Sequence, residues 1–287
     1  MPGMRSVAFA ALLLAAALPL AAQDPRFDAM AVGDAAWARR AEGRKGDRAA
    51  AGPINEAIAA YERAIKEQPD RLEAYPKLLR ALHYKGDFAV HTREGKQQVF
   101  GRGREVVEAA VDRISRRTGK KLDELPPAQV AKLVGKIPEA PEIFLWGGIH
   151  WGLWGDAYGR IAAARQGVGD KIRRYGEITV ALDERLEGAG GHRLLGRLHT
   201  LAPKIPLVTG WVDRGKAISH LRRAVALAPA DLYNRVYLAE ALLEHQSEKA
   251  AEAREILRKV IQTKPDPARV VEEERALANA RELLGKK

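Results

Sequence analysis

The chain has 287 residues, with 48 Lys and Arg against 37 Asp and Glu, and it contains no cysteine. The lack of cysteine excludes disulfides, thiolate metal sites, a cysteine nucleophile and an N-terminal lipidated cysteine. A formal net charge of +11 points to an anionic surface or an acidic partner, and a chain of this size can bury a core without covalent staples.

Residues 1–22 read as a signal peptide. Arg5 supplies the charged start, Val7 to Leu20 the apolar core, and Leu20-Ala21-Ala22 the small-residue cleavage site before Gln23. Val7 to Ala22 is 16 residues, short of the roughly 20 that span a bilayer. No later stretch is long and apolar enough to cross a membrane, so the expectation is an exported, periplasmic protein, soluble after cleavage. That location argues against nucleic acid as a partner.

Residues 23–287 are expected to form a single α-helical repeat domain. Apolar residues recur at three and four spacing almost throughout, with no alternating strand pattern. Phe27 to Arg44 reads as a first helix broken at Gly46, and Pro53, at a first helical position, opens a second over Ile54 to Gln68. That second helix carries Ala57, Tyr61, Ala64 and Pro69 at steps of four, three and five. The same steps recur in Ala217, Leu221, Ala224 and Pro229, and in Ala253, Leu257, Val260 and Pro265. Small residues at the first and third places let paired helices approach, the larger one fills the space between, and proline ends the helix.

Such self-similarity marks a repeat architecture, and these residues resemble the second helix of the tetratricopeptide repeat. Partner helices follow the register loosely, through Tyr75, Leu78, Leu82 and Gly86, through Leu195, Gly196 and His199, and through Leu238, Ala239 and Leu242. The middle is divergent. From Pro69 to Pro229 is 160 residues, against about 34 for one regular repeat. Val99 to Arg117 reads as a long helix and Pro126-Pro127 as the opening of a short one. The aromatic segment Ile143 to Arg160, IFLWGGIHWGLWGDAYGR, follows Pro138 and Pro141. Asp170 to Glu187 is its expected antiparallel partner, ended by Gly188, Gly190 and Gly191. Pro203 and Pro206 force an extended excursion before the next helix, and Ala268 to Leu284 reads as a polar-faced terminal cap. The fold class is therefore all-α: a right-handed α-solenoid of divergent tetratricopeptide-like helix pairs near 27–69, 72–117, 139–187, 192–229 and 232–265, with a C-terminal capping helix over 267–285.

Within the aromatic segment, Gly148, Gly152, Gly155 and Gly159 fall on one helical strip, which seats a neighbouring helix closely. Trp146, His150, Trp151, Trp154 and Tyr158 lie elsewhere round the cylinder. Two readings compete for them: a solenoid core, or a surface for a ligand or partner, since aromatic rings give large apolar area at low entropic cost. His192 and His199 share a face but are two turns apart, about 10 Å, too far to hold one ion. Asp123 with Glu124, and Glu272 to Glu274, sit in a loop and on a charged helix face, and no carboxylate pair lies in an apolar setting fit for acid–base work. The GRGRE stretch at 101–105 follows no strand, and no serine sits in a nucleophile elbow. The residues thus point to no catalytic, metal or cofactor site and no enzymatic activity.

The export signal, the divergent repeats, the tryptophan- and glycine-rich helix, and GGHRLLGRLHTLAPKIPLVTG before KAISHLRRAVALAP resemble the T component associated with TRAP transporters, the TatT-like family. The resemblance runs from about Asp34 to Leu284 and is strongest over Phe144 to Leu243. It implies a periplasmic scaffold that binds a partner protein, the solute-binding component of a transporter, with self-association an additional mode. Gln23 departs from it, standing where the family often has an anchoring cysteine. A carrier of a small apolar ligand held in an aromatic pocket is the alternative reading, and a wall-polymer enzyme drawn by the positive charge is the weaker one.

Overall fold

The computed structural model describes residues 28–205 and 209–285. The signal segment 1–22, Pro206 and the last two residues lie outside them. Among the described residues the chain is built from α-helices, with one isolated bridge, Lys45 to Arg48, in a turn.

Five helix pairs follow one another. The first is α1 (Ala29–Ala38) with α2 (Ala51–Glu67), and the second is α3 (Ala74–Tyr84) with α4 (Arg93–Thr118). A short α5 (Pro127–Val134) then precedes α6 (Ala140–Tyr158), a brief α7 (Arg160–Arg165) and α8 (Val168–Leu182). The last two pairs are α9 (Leu186–Leu201) with α10 (Arg214–Leu227), and α11 (Leu232–His245) with α12 (Ala250–Ile261), before α13 (Val270–Gly285). From α1 to α4 and again from α6 to α13, each helix packs on the next, as stacking of pairs requires, while α5 lies mainly against α8. In addition α3 touches α6, α6 touches α9 and α9 touches α11, so the first helices of successive pairs crowd together. The second helices make no comparable contacts with one another. The first helices therefore form the inner, concave layer and the second helices the outer one.

The sequence rules explain the local pieces. Asp28, Thr92, Asp213 and Asp231 each cap a helix by accepting from a backbone N–H two or three residues on, at 3.0 to 3.2 Å. Ala57, Tyr61, Ala217, Leu221, Ala224, Ala253, Leu257 and Val260 are fully buried, Ala64 nearly so, and Pro69, Pro229 and Pro265 follow the helix ends. A Cβ on Gly33 would overlap the Tyr61 ring, and one on Gly196 the Leu221 side chain. In both pairs a glycine on the inner helix admits the large residue of the outer helix.

Several boundaries differ from the expectation. The first helix stops at Ala38, because Gly43 and Gly46 adopt positive φ and the chain turns there. Pro53 is the third residue of α2 rather than the first. The partner of the aromatic helix ends at Leu182, and Gly190 and Gly191 belong to α9, where Leu145 and Val180 approach too closely for a side chain. Gly159 ends α6 with φ of 92° instead of extending the glycine strip.

The two ends of the stack meet. Val271 of α13 is fully buried in the core of the N-terminal pairs. Arg40 pairs with Glu272 at 3.1 Å, and Arg275 pairs with Asp47 while lying over the Phe88 ring. The terminal helix caps the last pair and also joins it to the first.

Candidate partner-binding face

The aromatic helix α6 lies in the third pair, clasped between α4 on one side and α8 on the other. Successive glycines face successive residues of α8 in reverse order: Gly147 meets Tyr175, Gly152 meets Ile172 and Gly155 meets Val168. The two helices are therefore antiparallel, and of the expected strip Gly152 and Gly155 face α8, whereas Gly148 lies closest to Leu194 of α9 and Gly147 takes the place against Tyr175. Its rings are used internally. Trp146, His150, Trp151 and Trp154 are buried, and of the five candidates only Tyr158 is exposed, at 39%. The expected open aromatic surface is thus corrected for four residues, because α4 and α8 cover the faces that a helical wheel leaves blank.

His150 donates from Nε2 to the Leu79 carbonyl at 2.8 Å, and a Cβ on Gly103 would overlap its ring. Complete burial lowers its pKa to about 4, so it is a neutral packing residue at ordinary pH. Lys171 lies 3.7 Å from the centre of the Trp151 ring, Arg104 lies over Trp151 and Trp154, and Tyr158 stacks on Trp154 at 4.6 Å. These contacts cover Trp151 and Trp154, two of the rings that the apolar-carrier reading needed as a pocket, and leave Tyr158 at the surface.

The histidines of α9 also behave differently from a spacing argument. His192 reaches His220 of α10, Nδ1 to Nδ1, at 2.9 Å, and His199 stacks on His220 with rings 6.2 Å apart. Burial lowers all three pKa values, that of His220 to about 4. Among the described residues no group of three or more His, Cys, Asp or Glu side chains is arranged to hold a metal ion.

The residues that do face the inner layer were not singled out in the sequence. Tyr233 and Tyr237 lie one turn apart on α11 with ring centres 5.5 Å apart. Arg197 of α9 lies over Tyr237 at 4.1 Å and pairs with Glu240. Protein encloses both phenols and raises their pKa values, yet both keep some solvent-accessible surface, so they line a confined space. Asp87, from the turn after α3, is near enough to raise both further. Curvature has brought the fifth pair opposite the second. The readable signal was the i, i+4 tyrosine pair on one helical face.

Beside these residues is a cleft of about 430 Å³, lined by Asp87, His91, Arg93, Lys96, Phe100, Leu153, Asp156 and Ala157. Enclosure raises the Asp156 pKa, with Arg197 lowering it and Asp87 raising it. Asp87 lies 3.3 Å from His83. Each carboxylate thus has a basic neighbour, and the wall sets charged side chains beside the apolar Phe100, Leu153 and Ala157.

This fold and face define an α-solenoid of the tetratricopeptide type. Over 87% of this chain and 97% of the other, the structure is similar to the crystal structure of a thermophilic TPR protein of Thermus thermophilus, with a TM-score of 0.50 and 19% identity. The TPR2AB domain of yeast Sti1, solved in complex with pHSP90, matches over 88% of this chain and 97% of the other, with a TM-score of 0.26 and 12% identity. No family model matches the sequence, and no curated protein does. The likeness to the Thermus protein establishes the fold.

Proposed function

We propose that the protein is an exported, non-enzymatic scaffold that binds a partner polypeptide on its inner face, the partner being a solute-binding component of a TRAP-type transporter. The observation that carries the binding role is the Tyr233–Tyr237 pair under Arg197, an aromatic and cationic anchor on a concave surface. Aromatic and arginine side chains in confined, partly desolvated sites dominate binding energy. An extended segment lies along the inner helices, its apolar side chains on the two tyrosines and its polar groups toward Arg197, Asp87 and Asp156. Export and the choice of partner rest on residues 1–22 and on the family resemblance.

A photo-crosslinking residue placed at Tyr237, with a second at exposed Leu133 as control, tests this in intact cells. The expected outcome is an adduct with a solute-binding protein from position 237 only. The same adducts from both positions, or none from 237, remove the proposal. Export is checked separately, by cell fractionation and an N-terminus beginning at Gln23.

A further inference from the structure

One edge of the solenoid concentrates the exposed apolar side chains. Of the five large hydrophobic residues that are exposed among the described residues, four lie where the third and fourth pairs turn: Tyr158 at 39%, Ile161 at 72%, Leu201 at 53% and Ile205 at 44%. Tyr158 and Ile161 belong to the end of α6 and to α7, whereas Leu201 ends α9 and Ile205 lies in the excursion that follows.

The two turns are neighbours in space. A Cβ on Gly155 would touch both Ala163 of α7 and Val168 of α8, at 3.3 and 3.2 Å. One residue further, a Cβ on Gly169 would lie 3.5 Å from Trp211 and 3.8 Å from Thr209. Thr209 in turn accepts from the backbone N–H of Ile205 at 2.9 Å. The start of α8 therefore ties both turns side by side, and their exposed tips share one edge.

Within the two turns the charged side chains are all basic, with exposed Asp156, Asp170 and Asp213 flanking them and Asp170 paired with Arg173 at 3.1 Å. Residues 157–169 and 201–212 contain no Asp or Glu. Arg160, Arg165 and Lys204 are exposed there, and no carboxylate among the described residues pairs with them. Elsewhere on the surface Arg39, Arg102, Arg113 and Arg223 each meet a carboxylate within 3 Å, while exposed Arg117, Lys120 and Lys132 form no ion pair among the described residues.

We infer that this edge docks the protein on an anionic lipid bilayer, with Ile161, Leu201 and Ile205 entering the interface and Arg160, Arg165 and Lys204 meeting the headgroups. Single aliphatic tips alternating with unpaired basic side chains match the two layers of a bilayer surface, apolar chains below and anionic headgroups above. The surplus of eleven positive charges over the chain favours the same surface at longer range. Among the described residues no helix is long and apolar enough to cross a membrane, so the attachment is peripheral and reversible. The edge adjoins the cleft at Asp156 and Ala157, and the attachment does not depend on what the inner face binds.

The test is sedimentation of the full chain with vesicles of phosphatidylcholine alone or with phosphatidylglycerol added. Wild type binds the anionic vesicles, and raised salt weakens the binding. The double variant Ile161→Ser/Ile205→Ser binds roughly tenfold or more weakly, while Leu133→Ser, at an exposed leucine outside this edge, binds like wild type. The triple variant Arg160→Gln/Arg165→Gln/Lys204→Gln lowers binding about a hundredfold without removing an apolar contact. All these side chains are exposed, and unchanged melting temperatures confirm that the variants fold. Equal binding to neutral vesicles, equal binding by wild type and the double variant, or no binding by wild type would each overturn the proposal. Conversion of a dimer to a monomer by the double variant would overturn it too, by assigning the edge to a second copy of this chain.

Discussion

Asn234 donates from Nδ2 to the Gly188 carbonyl at 2.9 Å, across 46 residues of sequence. Gly188 is the middle of three successive residues, Glu187 to Ala189, with φ between 47° and 65°, a left-handed turn at the start of α9. Arg193 donates to the carbonyls of Gly188 and Glu187 at 3.2 and 3.1 Å and to Asn234 Oδ1 at 3.0 Å. Buried Asp231 lies 3.5 Å from both Arg193 and Arg269. The fifth pair thus holds the fourth in a conformation that L-residues avoid, at a cost of roughly 1–2 kcal/mol per residue.

Asn234→Ala removes the donor to that turn and is expected to destabilise the protein by about 2 kcal/mol. Glu187→Gly is expected to raise stability by up to roughly 1 kcal/mol, because Glu187 is exposed and only its backbone is strained. Urea unfolding of both variants checks the pair, and a Glu187→Gly variant less stable than wild type would show that the turn carries no strain.

The glycines of α6 separate by environment. A Cβ on Gly147 would lie 2.7 Å from the Tyr175 ring, so Gly147→Ala is expected to cost about 1–3 kcal/mol by overpacking. A Cβ on Gly152 would lie 3.6 Å from Ile172, an ordinary contact, so Gly152→Ala gains roughly 0.5–1 kcal/mol of helix propensity. Thermal melting of the two variants should shift in opposite directions.

The join between the ends is ionic as well as apolar. Asp47→Ala/Glu272→Ala leaves Arg275 and Arg40 without these partners and is expected to cost roughly 2 kcal/mol. Amide exchange in α13 should quicken while exchange in α6 stays slow, since α6 packs on α3, α4, α8 and α9 in the middle of the stack and α13 on α11 and α12. The Arg275 hydrogen bond lowers the Asp47 pKa, so this contribution is present above the ordinary value of 3.8 and is lost below it.

Acid should loosen the core earlier, through histidine. His150 has a folded pKa of about 4 against an ordinary value of 6.5, so the unfolded chain takes up its proton first as pH falls. Its neutral form stabilises fully above about 6.5, and that share is lost toward pH 4, about 3 kcal/mol in all. His150→Gln keeps a donor for the Leu79 carbonyl and removes the titration. Its melting temperature should fall less between pH 7 and 4.5 than that of wild type, with the remaining slope owed partly to His220.

The helical class and the small–large–small–proline triplets were legible because they record contacts between helices adjacent in sequence. Ala57, Tyr61 and Ala64 lie on α2, which meets α1 and α3, and the positions of those two follow from short turns on either side. The aromatic helix was legible as a helix, and its glycine strip as a packing seam. Whether Trp151 faced solvent was not legible, because the answer depends on α4 and on Lys171 of α8, which no period within α6 encodes.

The sequence by itself determined helix type, pairing and part of the seam for α8, all consequences of local periodicity and steric size. Only the tertiary structure decided that four of the five aromatic candidates are core, that His220 joins His192, and that Tyr233 and Tyr237 look across at Asp87. It also decided that Arg275 closes on Asp47, 228 residues away. The physical reason is cumulative: each pair is rotated slightly on the last, and the sum of those rotations sets which distant surfaces meet.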